Sequence, residues 1–297
     1  MTDRPRVHRF QDPRSFLARA SDYLRAEPVV TSVLATTAEK AARRPAELGP
    51  GTPQWWAAVE VDGLIVGLAM RCAPWSPFPV YLSPMPEEAA LALAEDLVED
   101  VPVVVDVNGA RPAVDVVAGH LAEVTGRGVE EAMRLRLFEL GELLDPPDPP
   151  GTWRLATRAD QDLVADWLDR FHLEADAQAG RPPDPNPPHF APGELEARLD
   201  EGLFGLWCDA AGQVVHLTGW NAAAQGVVRI GPVFTPAPQR GKGYAAAAVA
   251  RASAAAVGAG HRAVLFTDQA NPTSNALYVR LGYRALTDMV NLHLTGP

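Results

Sequence analysis

Hydrophobic positions in the first half of the chain predict alternating helices and strands. Residues 12–27 and 28–44 carry apolar side chains every three or four positions, which predicts two amphipathic helices. Two apolar runs then flank Asp62-Gly63, a dipeptide typical of a tight hairpin turn. The remaining pattern predicts, in order, a strand at 79–83, a helix at 86–100, a buried strand at 101–107, a helix at 111–126 and a strand at 132–140.

The second half of the chain repeats this order of elements. A strand and an amphipathic helix come first, followed by a proline-rich segment at 180–194 and a second helix. A hairpin with its turn at Ala210-Ala211-Gly212 leads to a strand, an alanine-rich helix and a strand–helix–strand unit. Two α/β halves with the same order of elements indicate an ancestral duplication.

A proline-rich segment separates the two halves. Residues Asp145–Gly151, with the sequence DPPDPPG, contain four prolines in seven positions. Proline neither continues a helix nor donates a hydrogen bond to a central strand, so this segment is predicted to be a stiff linker. The predicted domains are therefore 1–144 and 152–297, joined by the linker 145–151.

Composition and charge exclude several classes of protein. With 297 residues, 47% of them hydrophobic, the chain is long enough for two domains with a core each. A formal net charge of −11 argues against nonspecific nucleic-acid binding. The sequence has neither the apolar run of a secretory signal nor one of roughly 18 residues that would span a membrane. Cys72 and Cys208 lack disulfide or zinc-site spacing, so we predict a cytoplasmic protein with free thiols and no metal.

A short basic loop, QRGKGYA, stands between a predicted strand and the alanine-rich helix. Unpaired N–H groups and the positive end of the helix dipole make such a helix N-terminus an anion site. Gly241 and Gly243 let the backbone approach an oxyanion, and Arg240 and Lys242 add positive charge, which favours a pyrophosphate. The glycine spacings of the dinucleotide fingerprint and of the Walker loop are both absent. An ordinary turn with surface charges is the alternative.

The helix after this loop is thin. The run Ala245–Ala248 favours helix strongly but buries little apolar area per residue. We therefore expect its backbone to approach a neighbouring sheet or a ligand closely.

A later helix carries a polar face. Asn271 stands before Pro272 as an N-cap stands before proline at the first helical position, and Gly282 occupies the C′ position. Spacing places three positions on one face of this helix, namely Asn271, Ser274 or Asn275, and Tyr278. Such a stripe favours a ligand surface over a core face.

Together, the segments GPVFTP, QRGKGYA and NPTSNALYVRLGY resemble the GNAT superfamily of acyl-CoA-dependent N-acyltransferases. The motifs lie within Val227–Tyr283, and the order of elements fits the whole chain. More narrowly, the sequence is similar to bacterial acetyltransferases that have a degenerate GNAT-like N-terminal half. The resemblance implies an α/β (α+β) fold of tandem halves, each a mixed, mostly antiparallel twisted sheet flanked by helices. It also implies acetyl-CoA as the cosubstrate.

The resemblance further implies the roles of individual residues. The cofactor's pantetheine arm would pair with the backbone of three strand residues, Val233, Phe234 and Thr235. Its pyrophosphate would lie in a cradle of six consecutive residues, Arg240, Gly241, Lys242, Gly243, Tyr244 and Ala245. Asn271 would hydrogen-bond the pantetheine arm, with Ser274 beside it. Tyr278 would be the general acid that protonates the departing CoA thiolate.

The first half departs from this pattern. Its corresponding junction, YLSPMPEEAALA, has neither glycine nor a basic residue, and Glu87 and Glu88 would repel a pyrophosphate. Asp115 stands seven residues after Asn108, where a tyrosine would match. We therefore predict that this half binds no CoA. Its TGRG segment, Thr125–Gly128, is interpreted as a helix C-cap.

The predicted function is transfer of an acetyl group from acetyl-CoA to a primary amine of a small molecule or peptide. The alternatives are a specialised tandem synthase similar to mycothiol synthase, or a catalytically silent CoA-binding or scaffold protein. Candidates to bind the ammonium group or accept its proton are His216, His172, Glu174 and Asp176. A core or surface position is the commoner outcome for a histidine such as His216, and a solvated helix end explains the other three equally well. We expect neither a nucleic-acid nor a membrane partner, and a monomer or homodimer.

Overall fold

The structure, a computed structural model, describes residues 4–43, 54–72, 78–184, 190 and 193–296. The chain divides into two compact units. The first comprises Met1–Leu135 together with Thr287–Pro297, and the second comprises Arg136–Leu286. The second unit is thus one continuous stretch, whereas the first takes its last strand from the C-terminal end of the chain.

The first unit has helices on a mixed sheet. The helices are α1 (Pro13–Ala26), α2 (Ser32–Arg43), α3 (Glu87–Leu97) and α4 (Ala113–Thr125). The strands are β1 (Arg6–Phe10), β2 (Trp55–Val61), β3 (Leu64–Arg71), β4 (Val80–Leu82), β5 (Asp106–Ala110), the start of β6 (Gly128–Leu140) and the end of β12 (Tyr283–Thr295). Their order is β1-β2-β3-β4-β5-β12, and only β4 and β5 pair in parallel.

The second unit has the same architecture. Its helices are α5 (Gln161–Gln178), α6 (Glu194–Asp200), α7 (Tyr244–Gly258) and α8 (Pro272–Arg280). Its other strands are β7 (Thr152–Leu155), β8 (Phe204–Cys208), β9 (Val214–Trp220), β10 (Val227–Phe234) and β11 (Arg262–Asp268). In the order β11-β10-β9-β8-β7, only β10 and β11 are parallel. The mixed, mostly antiparallel sheet predicted for each half is confirmed.

The structure has a turn at Asp62-Gly63 and a helix C-cap at Gly126, as the sequence predicts. Asp62 and Gly63 both have positive φ, 50° and 82°, and join β2 to β3 with Val61 opposite Leu64. This is the backbone of a hairpin turn whose twist matches that of its strands. Gly126, with φ of 69°, is the C-cap of α4, as the TGRG segment predicts.

Two strands differ from the prediction. Strand β1 was not predicted, because Arg6–Phe10 is too polar to show a clear alternation, and it forms by pairing with β2. The strand predicted at 101–107 lies later in the chain. A 3-10 segment covers Val98–Val103, and β5 begins only at Asp106. Pro102 lacks the N–H that a central strand donates, which disfavours a ladder through that position.

The core of the second unit lies on both faces of its sheet. On one face α5 and α6 cover β8 and β9 through a buried cluster that includes Trp167, Leu195, Leu206 and Leu217. On the other face α7 packs on β8, β9, β10 and β11. The sheet is therefore covered on both sides, so its backbone hydrogen bonds are protected from water.

The limits of the two units do not coincide with the proline-rich segment. They fall inside β6 and β12, each 13 residues long. The sequence places the boundary at 145–151 because prolines interrupt regular structure there. The limits of the compact units depend instead on which residues lie close in space. Inside a long strand such as β6, the sequence shows no change of pattern at the limit of a unit.

The described residues also bear on thiols, metals and membranes. Cys72 and Cys208 are free and buried, which confirms the predicted free thiols. Burial raises the pKa of the Cys72 thiol. Within the described ranges, no group of three or more His, Cys, Asp or Glu side chains is placed to hold a metal ion. In the same residues no helix is long and apolar enough to cross a bilayer.

Candidate functional site

Strands β10 and β11 pair at one end and diverge at the other. Parallel pairing joins residues 227–229 of β10 to residues 262–264 of β11. Beyond that point β10 continues along β9 as far as Phe234, with a shift of register between Ile230 and Val233. A bulge of this kind bends a strand away from its other neighbour. The backbone of residues 231–235 thus lies where the parallel ladder has ended.

The basic loop leads directly from this strand into α7. A 3-10 turn at Ala237–Gln239 precedes residues 240–243, and α7 begins at Tyr244. Gly241 and Gly243 have φ of 75° and 87°, a left-handed conformation that glycine adopts without strain. Gly243 is the N-cap of α7 and no side chain caps this end. Among the described residues, the first N–H groups of α7 therefore have no side-chain cap.

The two basic side chains of the loop are both engaged. Arg240 donates from Nε to the carbonyl of Thr235 at 3.0 Å, and its guanidinium pairs with Glu174 of α5. Lys242 donates from Nζ to Gln239 Oε1 at 2.7 Å. Arg240 thus fastens the loop to α5 in addition to supplying charge.

The alanines of α7 allow close packing, as the sequence predicts. Ala247 and Ala248 are fully buried against Trp207 of β8 and Val215 of β9. Tyr244 belongs to the same cluster and is 7% exposed. Its phenol therefore faces the protein core, and only its backbone N–H can reach a ligand at the loop.

His216, on β9, lies fully buried between two threonines. Its Nδ1 is 2.7 Å from Thr235 Oγ1, and its Nε2 is 2.6 Å from Thr218 Oγ1. Burial lowers the pKa of His216 to about 3. An imidazole that stays neutral and has both nitrogens hydrogen-bonded is a satisfied core histidine, which favours the structural interpretation of this residue.

The burial of His216 predicts a pH-dependent stability. The folded-state pKa is about 3, below the ordinary value of 6.5, so the unfolded chain binds more protons as the pH falls below 6.5. Stability from this group is complete above about 6.5 and is lost progressively down to about 3, at about 1.4 kcal/mol per pH unit. We expect wild type to lose about 2 kcal/mol more than His216→Gln between pH 7.5 and 5.0 in urea unfolding. Equal losses in the two proteins would contradict this assignment.

Helix α8 begins as predicted, and its N-cap side chain is occupied. Asn271 Oδ1 accepts from the Ser274 N–H at 3.0 Å, while Nδ2 donates to Gln178 Oε1 of α5 at 3.1 Å. Asn275 Nδ2 donates to the carbonyls of Asp268 and Asn271, at 2.9 and 2.7 Å. In this arrangement both amides hold α8 against the end of β11 and against α5.

Tyr278 and Tyr283 lie side by side but differ in their hydroxyl contacts. The rings are 6.0 Å apart, edge to face. The Tyr283 hydroxyl is 2.7 Å from Ser253 Oγ, which donates to the Val249 carbonyl of α7. The Tyr278 side chain is 6% exposed, and within the described part of the chain its hydroxyl has no hydrogen-bond partner. Burial raises the pKa of Tyr278 above its ordinary value of 10, with Tyr283 as a second cause.

Acidic residues near the end of α5 are paired with arginine. Asp176 Oδ1 accepts from Arg181 Nε at 3.3 Å, and Arg181 Nη1 donates to Asp268 Oδ2, at the end of β11, at 2.5 Å. Glu174, besides pairing with Arg240, accepts from Arg170 at 3.3 Å. In this structure both carboxylates tie α5 to neighbouring elements, which was not apparent from the sequence.

The matching strands of the first unit lie close together. A Cβ built on Gly109 of β5 would meet the Leu82 Cβ of β4 at 3.0 Å and its carbonyl oxygen at 3.3 Å. Strands β4 and β5, which pair in parallel at Val80–Val107 and Tyr81–Asn108, thus stay in close contact as far as Leu82 and Gly109. Asp115, at the position where a tyrosine would match, is paired with Arg111.

Comparison with known proteins gives a family match for the second half of the chain. Residues 163–283 match the model of the acetyltransferase (GNAT) family. No curated protein sequence matches the chain.

Solved structures show the same fold over the whole chain. A GCN5-related N-acetyltransferase from Sphaerobacter thermophilus is 18% identical, with a TM-score of 0.60, and the alignment covers 99% of this chain and 97% of that one. A GCN5-related N-acetyltransferase from Kribbella flavida is 23% identical, with a TM-score of 0.51 and coverages of 88% and 96%. A tandem GNAT protein from the clavulanic acid biosynthesis pathway is 10% identical, with a TM-score of 0.55 and coverages of 99% and 99%. At these identities the likeness shows the fold alone.

Proposed function

Because residues 163–283 of this chain match the model of the acetyltransferase (GNAT) family, we propose that the protein transfers the acetyl group of acetyl-CoA to a primary amine of a small molecule or peptide. In this proposal the second half of the chain, which contains the matched residues, is the acyltransferase domain. The observation that carries the proposal is the uncapped N-terminus of α7, which follows a strand that has left its parallel neighbour.

The residues at this end of α7 fit a pyrophosphate. A Cβ built on Gly241 would meet no atom within 4 Å, and one built on Gly243 would meet only the Pro149 Cβ, at 3.9 Å. Open space above a backbone with positive φ is what a phosphate group needs for close approach to N–H donors. In this proposal the N–H groups of Gly241, Gly243, Tyr244 and Ala245 bind the phosphate oxygens, and Arg240 and Lys242 contribute charge.

The proposed reaction is a direct transfer. The neutral amine nitrogen forms a bond to the thioester carbonyl carbon, the carbon–sulfur bond breaks, and the electron pair leaves on sulfur. Tyr278 gives its hydroxyl proton to the departing thiolate. The proton that the amine nitrogen loses then returns the tyrosinate to its neutral form. In this proposal a backbone N–H group within residues 233–235, on the side of the strand that faces away from β9, stabilises the carbonyl oxygen as it becomes negative.

The first test is binding and turnover by the purified chain. Isothermal titration with acetyl-CoA is expected to give a saturable isotherm, and a panel of primary amines is expected to include at least one acceptor that releases CoA. A chain that does not bind acetyl-CoA overturns the proposal. Binding without turnover of any amine would favour a silent CoA-binding protein instead.

One acetyl-CoA is expected to bind to each chain. The first unit has Gly109 packed on Leu82, and Glu87 and Glu88 in the first turn of α3 disfavour a bound pyrophosphate, so we propose that this unit binds no CoA. Titration should therefore give a stoichiometry of one. A stoichiometry of two would mean that the first unit opens to bind the cofactor.

A further inference from the structure

The buried His216 contacts Thr235, the residue that leads from β10 toward the proposed pyrophosphate loop. Val233 pairs with Thr218 and Phe234 with Leu217, so the next position in register brings Thr235 opposite His216. His216 also pairs across strands with Trp207, which packs on α7. Cross-strand neighbours share a face of the sheet, so the imidazole lies on the face that α7 covers.

The contacts of His216 reach the loop through one residue. Thr235 is the first residue after β10; its hydroxyl lies 2.7 Å from the His216 ring, and its carbonyl accepts from Arg240 Nε at 3.0 Å. Side chain and main chain of Thr235 are therefore both held, one from the core and one from the loop. A change at His216 would release the first of these contacts.

The neutral state of His216 keeps its hydrogen bond to Thr235 in place near neutral pH. A neutral imidazole has one N–H and one lone-pair nitrogen, so one threonine hydroxyl accepts from the ring and the other donates to it. Either tautomer holds Thr235 Oγ1 at the same place. Because the pKa of His216 is lowered to about 3, the ring does not become charged near neutral pH.

We propose that His216 is a positioning residue which, through Thr235, holds the segment 235–243 in the geometry that binds the pyrophosphate of acetyl-CoA. The inference rests on the proposed function for its ligand. It assigns no proton transfer to His216, which is fully buried. Its consequence is a loss of cofactor affinity that depends on the contact between His216 and Thr235.

The test uses variants that remove one contact at a time. Thr235→Val keeps the shape of the side chain but loses the hydroxyl, and Thr235→Ser restores a hydroxyl. Thr218→Val is the matched control, since it removes the other hydrogen bond of the same imidazole and leaves the link to Thr235. His216→Leu removes both bonds, while His216→Gln keeps a donor and an acceptor.

Acetyl-CoA affinity is measured by titration without acceptor. We expect Thr235→Val and His216→Leu to weaken binding about three- to tenfold, and Thr235→Ser and His216→Gln to recover most of the loss. Thr218→Val should lower the unfolding midpoint as Thr235→Val does while binding acetyl-CoA as wild type does. Equal affinity in all variants, or equal loss in Thr218→Val and Thr235→Val, would overturn the proposal.

Hydrogen exchange in the ligand-free protein separates this inference from the proposed function. Amides of residues 235–243 should exchange faster in Thr235→Val and His216→Leu than in wild type or Thr218→Val. If that pattern appears in a chain that does not bind acetyl-CoA, the positioning role stands and the assigned ligand is wrong. If wild type binds acetyl-CoA and exchange is the same in every variant, the positioning role is wrong and the proposed function stands.

Discussion

Tyr278→Phe is expected to lower kcat by about 100- to 10,000-fold and to leave acetyl-CoA affinity almost unchanged. General acid catalysis contributes rate enhancements of this size. The Tyr278 hydroxyl has no partner among the described residues, so its removal breaks no internal hydrogen bond, and the apolar ring remains in its cluster. Steady-state kinetics together with titration of acetyl-CoA would show the loss in kcat separately from binding.

Tyr283→Phe is the matched control for this prediction. Its hydroxyl bonds to Ser253, so the variant should lose about 1 kcal/mol of stability with kcat unchanged. A comparable loss of kcat in both variants would show that packing of the tyrosine pair, rather than proton donation by Tyr278, supports the rate.

The pKa of Tyr278 adds a pH dependence to this assignment. A general acid must be protonated, and burial raises its pKa above the ordinary value of 10. We therefore expect no fall in kcat from this group as the pH rises from neutral to about 10. A descending limb that Tyr278→Phe abolishes within that range would contradict the direction of the shift.

Gly243→Glu is expected to weaken acetyl-CoA binding by at least about 100-fold, which corresponds to about 2.7 kcal/mol. Gly243 has φ of 87°, where a side chain costs about 1 to 2 kcal/mol of strain. The new carboxylate would also stand at the N-terminus of α7, in the place proposed for the pyrophosphate. A negative side chain interacts favourably with the positive N-terminal end of the helix dipole, so α7 itself should persist. The loss of acetyl-CoA affinity can then be attributed to the anion site.

A second glycine in the same unit controls for strain and charge. Gly212 has φ of 79° in the turn between β8 and β9, and a Cβ there would meet nothing within 4 Å. Gly212→Glu should cost similar stability and leave acetyl-CoA binding intact, as measured by titration and thermal unfolding. Equal affinity in Gly243→Glu and wild type would show that this loop does not bind the cofactor.

Local chemistry in the sequence specified the elements that flank the site. Asn271 before Pro272 caps α8, Gly282 follows its end with φ of 94°, and Gly243 opens α7. These features depend on a few adjacent residues and on backbone conformations that few residue types adopt. A sequence therefore displays them directly.

The partners of the same side chains were decided by tertiary structure. Asn271 bonds to Gln178, 93 positions away, and Arg240 pairs with Glu174, 66 positions away. His216 and Thr218 are two positions apart on one strand face, but only the register of β9 and β10 brings Thr235 to the ring. No local signal encodes such pairings, because they follow from burial of the whole sheet.

Periodicity, glycine and capping residues act over a few positions, so the sequence specified the two α/β halves, the glycine-containing loop before α7 and the helix that carries Tyr278. Only the packing of the tertiary structure separates β10 from β11 while Gly109 packs on Leu82. It also gives the Tyr283 hydroxyl a partner in Ser253, whereas the Tyr278 hydroxyl has none among the described residues. These outcomes depend on packing between strands and helices that are far apart in the sequence. Burial and the geometry of their contacts decide them, and neighbouring residues along the chain do not.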